Sequence, residues 1–179
     1  MTEFSHRLAH IGDLPELTAL MTRAIEFLQS GFLSTEQVQA SHQVMGLDTQ
    51  LVLDRTYFVI ETAGRVAGCG GWSWRATLFG GDASIVARQP LPLDPAVDAA
   101  KIRAMYVDPD FARRGLGTMI MRLCEAAARD AGFARVELMA TLAGVPLYRV
   151  CGYTDIEAIE AVTRGGVTVP MIRMGKVLS

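Results

Sequence analysis

Residues 107–120 read VDPDFARRGLGTMI and set two arginines, Arg113 and Arg114, beside a Gly-x-Gly at the start of an apolar-periodic run. A helix N-terminus carries unpaired N–H groups and a partial positive charge, so cations there are misplaced unless an anion joins them. Glycines at such a turn let a ligand reach the backbone while successive N–H groups face outward, which suits a phosphate. Two readings stand side by side: Asp110 caps the helix and the arginines are solvated, or residues 113–118 surround a phosphate. There is no G-x-x-x-x-G-K-[ST] loop, and the position that would complete G-x-G-x-x-G is Ile120. Nucleotide hydrolysis and a Rossmann dinucleotide site therefore lose their warrant.

Other reactive side chains form no pattern. Cys69, Cys124 and Cys151 stand far apart, without a C-x-x-C pair and in odd number, and read as buried reduced thiols. His6, His10 and His42 show no metal-ligand spacing, so no metal is expected.

The chain has 179 residues, 50% of them hydrophobic, enough for one compact domain spanning 1–179. Its net charge is −2 and no basic run exceeds two residues, so no nucleic acid and no acidic membrane surface is expected as partner. Neither a signal sequence nor a long apolar run is visible, and the chain reads as cytoplasmic.

The elements that must position the glycine turn follow from periodicity. A short strand is expected at 4–11. Asp13-Leu14-Pro15 then starts a helix whose Leu17, Leu20, Met21, Ala24, Ile25 and Leu28 share a face, with Gly31 ending it. Ser34 with Gln37 makes a capping box for a second helix running to about Met45-Gly46. TYFVIETAGRVAGCGGWSW is a hairpin turning at Ala63-Gly64, and its interior glycines mark a bulge or a close approach. Trp72 and Trp74 alternate on it, toward the core or a substrate. Residues 76–98 form a long irregular connection of the kind that covers a ligand. KIRAMYV at 101–107 is a strand, and the helix after it carries an apolar stripe of Leu116, Met119, Ile120, Leu123 and Ala127, closed by Gly132. A strand at 134–141, a short helix at 145–150 and two last strands, at 153–161 and 166–178, complete a mixed α/β sheet.

Taken together, IRAMYVDPDFARRGLGTMIM and LYRVCGY about 30 residues later resemble the acyl-CoA strand, the V-x-P-x-[FY] step, the [QR]-x-x-G-x-[GA] loop and the L-Y-x-x-x-G-[FY] signature of the GNAT superfamily of acyl-CoA-dependent N-acyltransferases. The resemblance implies a mixed, mostly antiparallel sheet flanked by helices, with a parallel strand pair splayed around the acyl-CoA site. It implies that the backbone of Met105, Tyr106 and Val107 pairs with the pantetheine arm. The amides of Arg113, Arg114, Gly115, Leu116, Gly117 and Thr118 then hold the pyrophosphate of acetyl-CoA, and Tyr148 stands where the family has its general acid. Two departures matter: Ala112 replaces the loop's usual Gln or Arg, and Thr141 stands where many relatives have Asn.

Attack of an amine on a thioester needs a base, an oxyanion donor and an acid. Glu137 and Glu61, both on expected strands, are candidate bases, and a water chain serves equally. The leading function is transfer of acetyl from acetyl-CoA to a primary amine of a small molecule or a protein N-terminus. A non-catalytic acyl-CoA-binding sensor is the alternative. The apolar last strand, VTVPMIRMGKVL, offers an edge for a homodimer, blunted by Pro170.

Overall fold

At Ala63 and Gly64 the backbone takes φ of 47° and 76°, the left-handed pair that a two-residue hairpin requires. This turn joins β2 (Tyr57–Thr62) to β3 (Arg65–Ser73). The coordinates are a computed structural model, and they describe residues 3–179. Around the hairpin the sheet grows with β1 (Ser5–Leu8) on one side and β4 (Ala100–Val107), β5 (Arg135–Thr141), β6 (Thr154–Val162) and β7 (Thr168–Val177) on the other. Strand order is β1-β2-β3-β4-β5-β7-β6, and every adjacent pair is antiparallel except β4–β5. The mixed, mostly antiparallel sheet with one parallel pair is thus the one expected.

Helices α1 (Leu14–Leu28), α2 (Thr35–Ser41) and α3 (Thr49–Leu53) precede the hairpin, α4 (Leu116–Asp130) follows β4, and α5 (Val145–Val150) follows β5. The two sheet faces feed separate cores, as the period of two demands. Val59 packs with Leu17, Leu20 and Ile25 of α1, whereas its neighbour Ile60 packs with Ile120 and Cys124 of α4. The α1 stripe read from sequence is buried from Leu17 to Ile25, with Leu28 half-buried.

Several expectations need correction. The buried face of α4 runs through Leu116, Gly117, Ile120, Met121, Cys124 and Ala128, leaving Met119, Leu123 and Ala127 at its rim. Both stripes have helical spacing and share Leu116 and Ile120; the buried face is turned toward Gly117, Met121, Cys124 and Ala128, and α4 lies close against β3 through the shared Ile120. A Cβ on Gly70 would stand 2.6 Å from Ile120 Cγ2. The capping box Ser34–Gln37 forms, but α2 ends at Ser41, and the short α3 that follows, capped by Asp48 through Gln50 N–H, had no periodic signal. Asp13 stands at the α1 N-cap without capping it, because its carboxylate is taken by Arg7 and the His10 N–H. Strand β7 lies between β5 and β6, so it has no free edge to offer a second copy; the open edges belong to β1 and β6. No helix among the described residues is long and apolar enough to cross a membrane.

Candidate active site

Strands β4 and β5 pair only at Ala100–Val136 and Lys101–Glu137. Beyond that point β4 is deflected by a bulge. Its register against β3 passes from Arg103↔Gly71 to Tyr106↔Cys69, so Ala104 and Met105 together face Gly70. Ala104 sits at φ 50°, and the fully buried Tyr57 donates its hydroxyl proton to the Ala104 carbonyl at 2.6 Å. Met105, Tyr106 and Val107 consequently have no β5 partner, and all three line a cavity of about 780 Å³. The Tyr106 hydroxyl accepts the Gly46 N–H at 2.9 Å, fastening the stretch between α2 and α3 over this edge.

The turn that carries the two arginines begins at the end of β4. Asp108 caps a 3-10 turn at Pro109–Phe111, accepting the Asp110 N–H at 3.0 Å, and is ion-paired with Arg23 at 2.5 Å. Asp110 itself caps nothing on α4: the N-cap there is Gly115, at φ 83°, with no side-chain cap. The first turn of α4 therefore presents unanswered N–H groups. Arg113, Gly115, Leu116, Gly117 and Thr118 line the cavity beside them. Arg114 instead stacks over the Phe111 ring at 5.6 Å, outside the cavity wall. A Cβ on Gly117 would stand 2.5 Å from Leu147 Cδ2, so the glycine lets α5 close against this turn.

From α5, Tyr148 enters the same cavity. The residue is 8% exposed, and burial pushes its phenol well above the ordinary value, so it is a proton donor at any physiological pH. Its ring packs on Tyr153 at 6.1 Å, and Tyr153 in turn donates to buried Glu125 on α4 at 3.0 Å, with Lys176 on the other carboxylate oxygen at 2.8 Å. Thr141 also lines the cavity; its hydroxyl oxygen accepts the Gly144 N–H at 3.2 Å and shapes the turn into α5.

Glu137 is not brought to this place. Its carboxylate accepts from Lys101 at 3.0 Å and Arg173 at 2.7 Å, and it forms no part of the cavity wall. Burial pushes its pKa up, but the bonds from Arg173 and Lys101 outweigh this and hold it below 4.5. A carboxylate so committed is a poor proton acceptor. Glu61, the other candidate, is bound to Arg7 at 2.8 Å on the far side of the hairpin.

The opposite end of the cavity is built by α1, the residues just after it and the 76–98 connection. That connection is strapped down: Asp82 N–H donates to Leu47 O at 2.7 Å, Ile85 N–H to Gln43 O at 2.9 Å, and Asp82 accepts the Thr49 N–H at 3.1 Å. Beneath it lies a pair that sequence reasoning missed, Arg103 of β4 and Asp48, 3% and 0% exposed and 2.8 Å apart. Arg103 also donates to Gly80 O, while its Nε has no partner. The available signal was a charged residue inside the otherwise apolar run IRAMYV. Gln29 was missed too. It is 3% exposed, lines the cavity, and its Oε1 has no hydrogen-bond partner, an omission that costs about 1–3 kcal/mol. Among the described residues no cluster of three metal-ligating side chains occurs.

Solved structures of similar shape share this frame. A GCN5-related N-acetyltransferase from Rhodopseudomonas palustris aligns over 99% of this chain and 98% of its own at 19% identity, with a TM-score of 0.73. The PaiA N-acetyltransferase of Thermoplasma acidophilum, solved in complex with coenzyme A, aligns over 98% and 99% at 13% identity and TM-score 0.64. YncA of Salmonella typhimurium, described as an acetyltransferase with its cofactor acetyl-CoA, aligns over 99% and 95% at 18% identity and TM-score 0.64. No curated protein matches the chain by sequence. Residues 25–153, which hold the bulged β4, the uncapped α4 and Tyr148, match the acetyltransferase (GNAT) family, and the chain is a member of it.

Proposed function

We propose that residues 1–179 form a single N-acetyltransferase domain that acts in the cytoplasm, moving the acetyl group of acetyl-CoA to a primary amine of a small molecule or a protein N-terminus by direct attack. One observation carries the reading: the unpaired edge of β4, the uncapped first turn of α4 and the Tyr148 phenol all line one cavity. These residues fit acetyl-CoA, which supplies a reactive thioester when bound. The N–H groups of residues 113–118 and the Arg113 guanidinium bind its pyrophosphate. The Met105–Val107 edge orients its pantetheine arm as an added strand. Tyr148 Oη holds the proton that the departing sulfur takes up. Among the described residues the wall holds no carboxylate, so the amine loses its proton to water at the cavity mouth.

Calorimetric titration with acetyl-CoA, dephospho-CoA and pantetheine, followed by thiol release with a panel of amines, tests this. The reading requires tight binding of both CoA forms, much weaker binding of pantetheine, which lacks the pyrophosphate, and thiol release with at least one amine. Binding without release under any amine would favour an acyl-CoA sensor.

A further inference from the structure

Gly46 lines the cavity with φ at 120°, a backbone conformation that favours glycine, and its N–H donates to the Tyr106 hydroxyl at 2.9 Å. The next carbonyl, Leu47 O, accepts the Asp82 N–H at 2.7 Å, and a Cβ on Gly81 would collide with that same oxygen. Residues 46–47 and 81–82 therefore meet backbone to backbone, with no room for a side chain at Gly81. Gly80 O in turn accepts from the Arg103 guanidinium, which is also paired with Asp48 at 2.8 Å. The stretch of wall formed by Val44, Met45, Gly46, Leu78, Phe79 and Gly80 thus hangs on β4 by two side chains, Tyr106 and Arg103.

The two attachments stand on different footings. Arg103 lies before the bulge, opposite Gly71, whereas Tyr106 lies beyond it, opposite Cys69. At Tyr106 the strand is paired with β3 on one side and has no β5 partner on the other. A strand held along one edge opens more readily than one held along both. A pantetheine arm lying along that edge supplies the missing neighbour, and the ordering it brings is felt wherever the strand's side chains are bonded.

Resting on acyl-CoA binding at this edge, we infer that Tyr106 is a positioning residue that couples the two ends of the cavity. Its hydroxyl carries the ordering of β4 by the donor to Gly46 and, through Leu47 and Gly81, to the wall at 78–80. The compartment that faces the thioester is finished only when the donor is in place. Coupling of this kind is reciprocal, so a molecule that presses on the 44–46 wall tightens the hold on acyl-CoA by the same factor.

Hydrogen exchange read by mass spectrometry tests this on the purified protein, free and with saturating acetyl-CoA. In wild type, acetyl-CoA is expected to slow exchange at least about fivefold in segments 44–48 and 79–83, besides the directly covered 105–118. In Tyr106→Phe the slowing at 105–118, which marks bound donor, persists, while that at 44–48 and 79–83 falls below about twofold. A merely structural role gives another pattern: exchange at 44–48 rises with and without donor, and the donor-dependent slowing stays. Gly81→Ala leaves the Tyr106–Gly46 bond in place and parts 80–82 from Leu47, so it should lose the slowing at 79–83 alone. That variant decides the matter if Tyr106→Phe does not fold. Donor-dependent slowing kept at 44–48 in Tyr106→Phe, kept at 79–83 in Gly81→Ala, or absent there from wild type with acetyl-CoA bound, overturns the inference and leaves acetyl transfer intact. Failure to bind acetyl-CoA overturns both.

Discussion

The Tyr57 hydroxyl donates to the Ala104 carbonyl at 2.6 Å, and this bond spans from the hairpin to the one residue of β4 with positive φ. A non-glycine residue in that conformation costs on the order of 1–3 kcal/mol and persists only where its surroundings enforce it. Removing the phenol oxygen should therefore act on two quantities. Tyr57→Phe is expected to lower unfolding free energy by about 1–2 kcal/mol. It should also raise KM for acetyl-CoA more than it lowers kcat, because the β4 edge relaxes toward β5. Urea denaturation and initial rates read these effects, and an unchanged KM would mean that the bulge holds itself.

Tyr148 makes a sharper case. Tyr148→Phe keeps the ring that packs on Tyr153 and removes only the hydroxyl group. Turnover should fall about a hundredfold, within the usual range for a general acid, with acetyl-CoA affinity close to wild type. Loss of binding in the same measure as turnover would demote the residue to packing.

The two arginines of the turn should separate. Arg113 lines the cavity, while Arg114 lies over Phe111 outside it. Calorimetry should show Arg113→Ala weakening acetyl-CoA binding about tenfold or more, an effect that shrinks at high salt. Arg114→Ala should stay near wild type; equal losses would show that the turn binds by net charge alone.

For Glu137 the sign can be worked out. Its folded pKa lies below 4.5, so its ion pairs add stability that is present above that value and lost as pH falls through the folded pKa. Glu137→Gln should melt earlier than wild type at pH 7, with the difference shrinking once the pH drops below 4.5. Turnover should be unchanged, since the carboxylate is absent from the cavity wall. A large loss of kcat would restore it as the base.

Breaking the Arg103–Asp48 pair should be costly. Asp48→Ala leaves a buried guanidinium with no charge partner, and a loss of about 3–5 kcal/mol is expected in denaturant unfolding. A double replacement of Asp48 and Arg103 by apolar residues should recover part of it. If the single change costs little, water reaches Arg103 more freely than its 3% exposure implies.

Much of the cavity wall built by β4 and the first turn of α4 could be read in the sequence because it depends on backbone and local signals. The turn at Ala63-Gly64, the strand before Asp108 and the glycine turn into α4 each follow from residues adjacent in the chain. The opposite end was far less visible. Asp48 and Arg103 pair across the fold, 55 residues apart in the chain, and Gln29 reaches the same cavity wall as Arg103 from the end of α1; no spacing along the chain records either. Glu137 shows the same limit: alternation places it on a face, but its fate was decided by Arg173, 36 residues away. The α4 stripe shows a related limit: Leu116 and Ile120 belong to both helical faces, and which of the two is buried is settled by packing on the sheet rather than by spacing along α4.

The position of β7 bears on how such a molecule is made. A strand that slots between two others produced before it cannot add to the sheet in the order of synthesis. Until it arrives, β5 and β6 both present open edges, and Met171 and Arg173, which complete the cavity wall and the Glu137 ion cluster, are missing. The turn at Arg113–Thr118 precedes β7 by some fifty residues, so the stretch of cavity wall that Met171 supplies is among the last parts of the chamber to leave the ribosome.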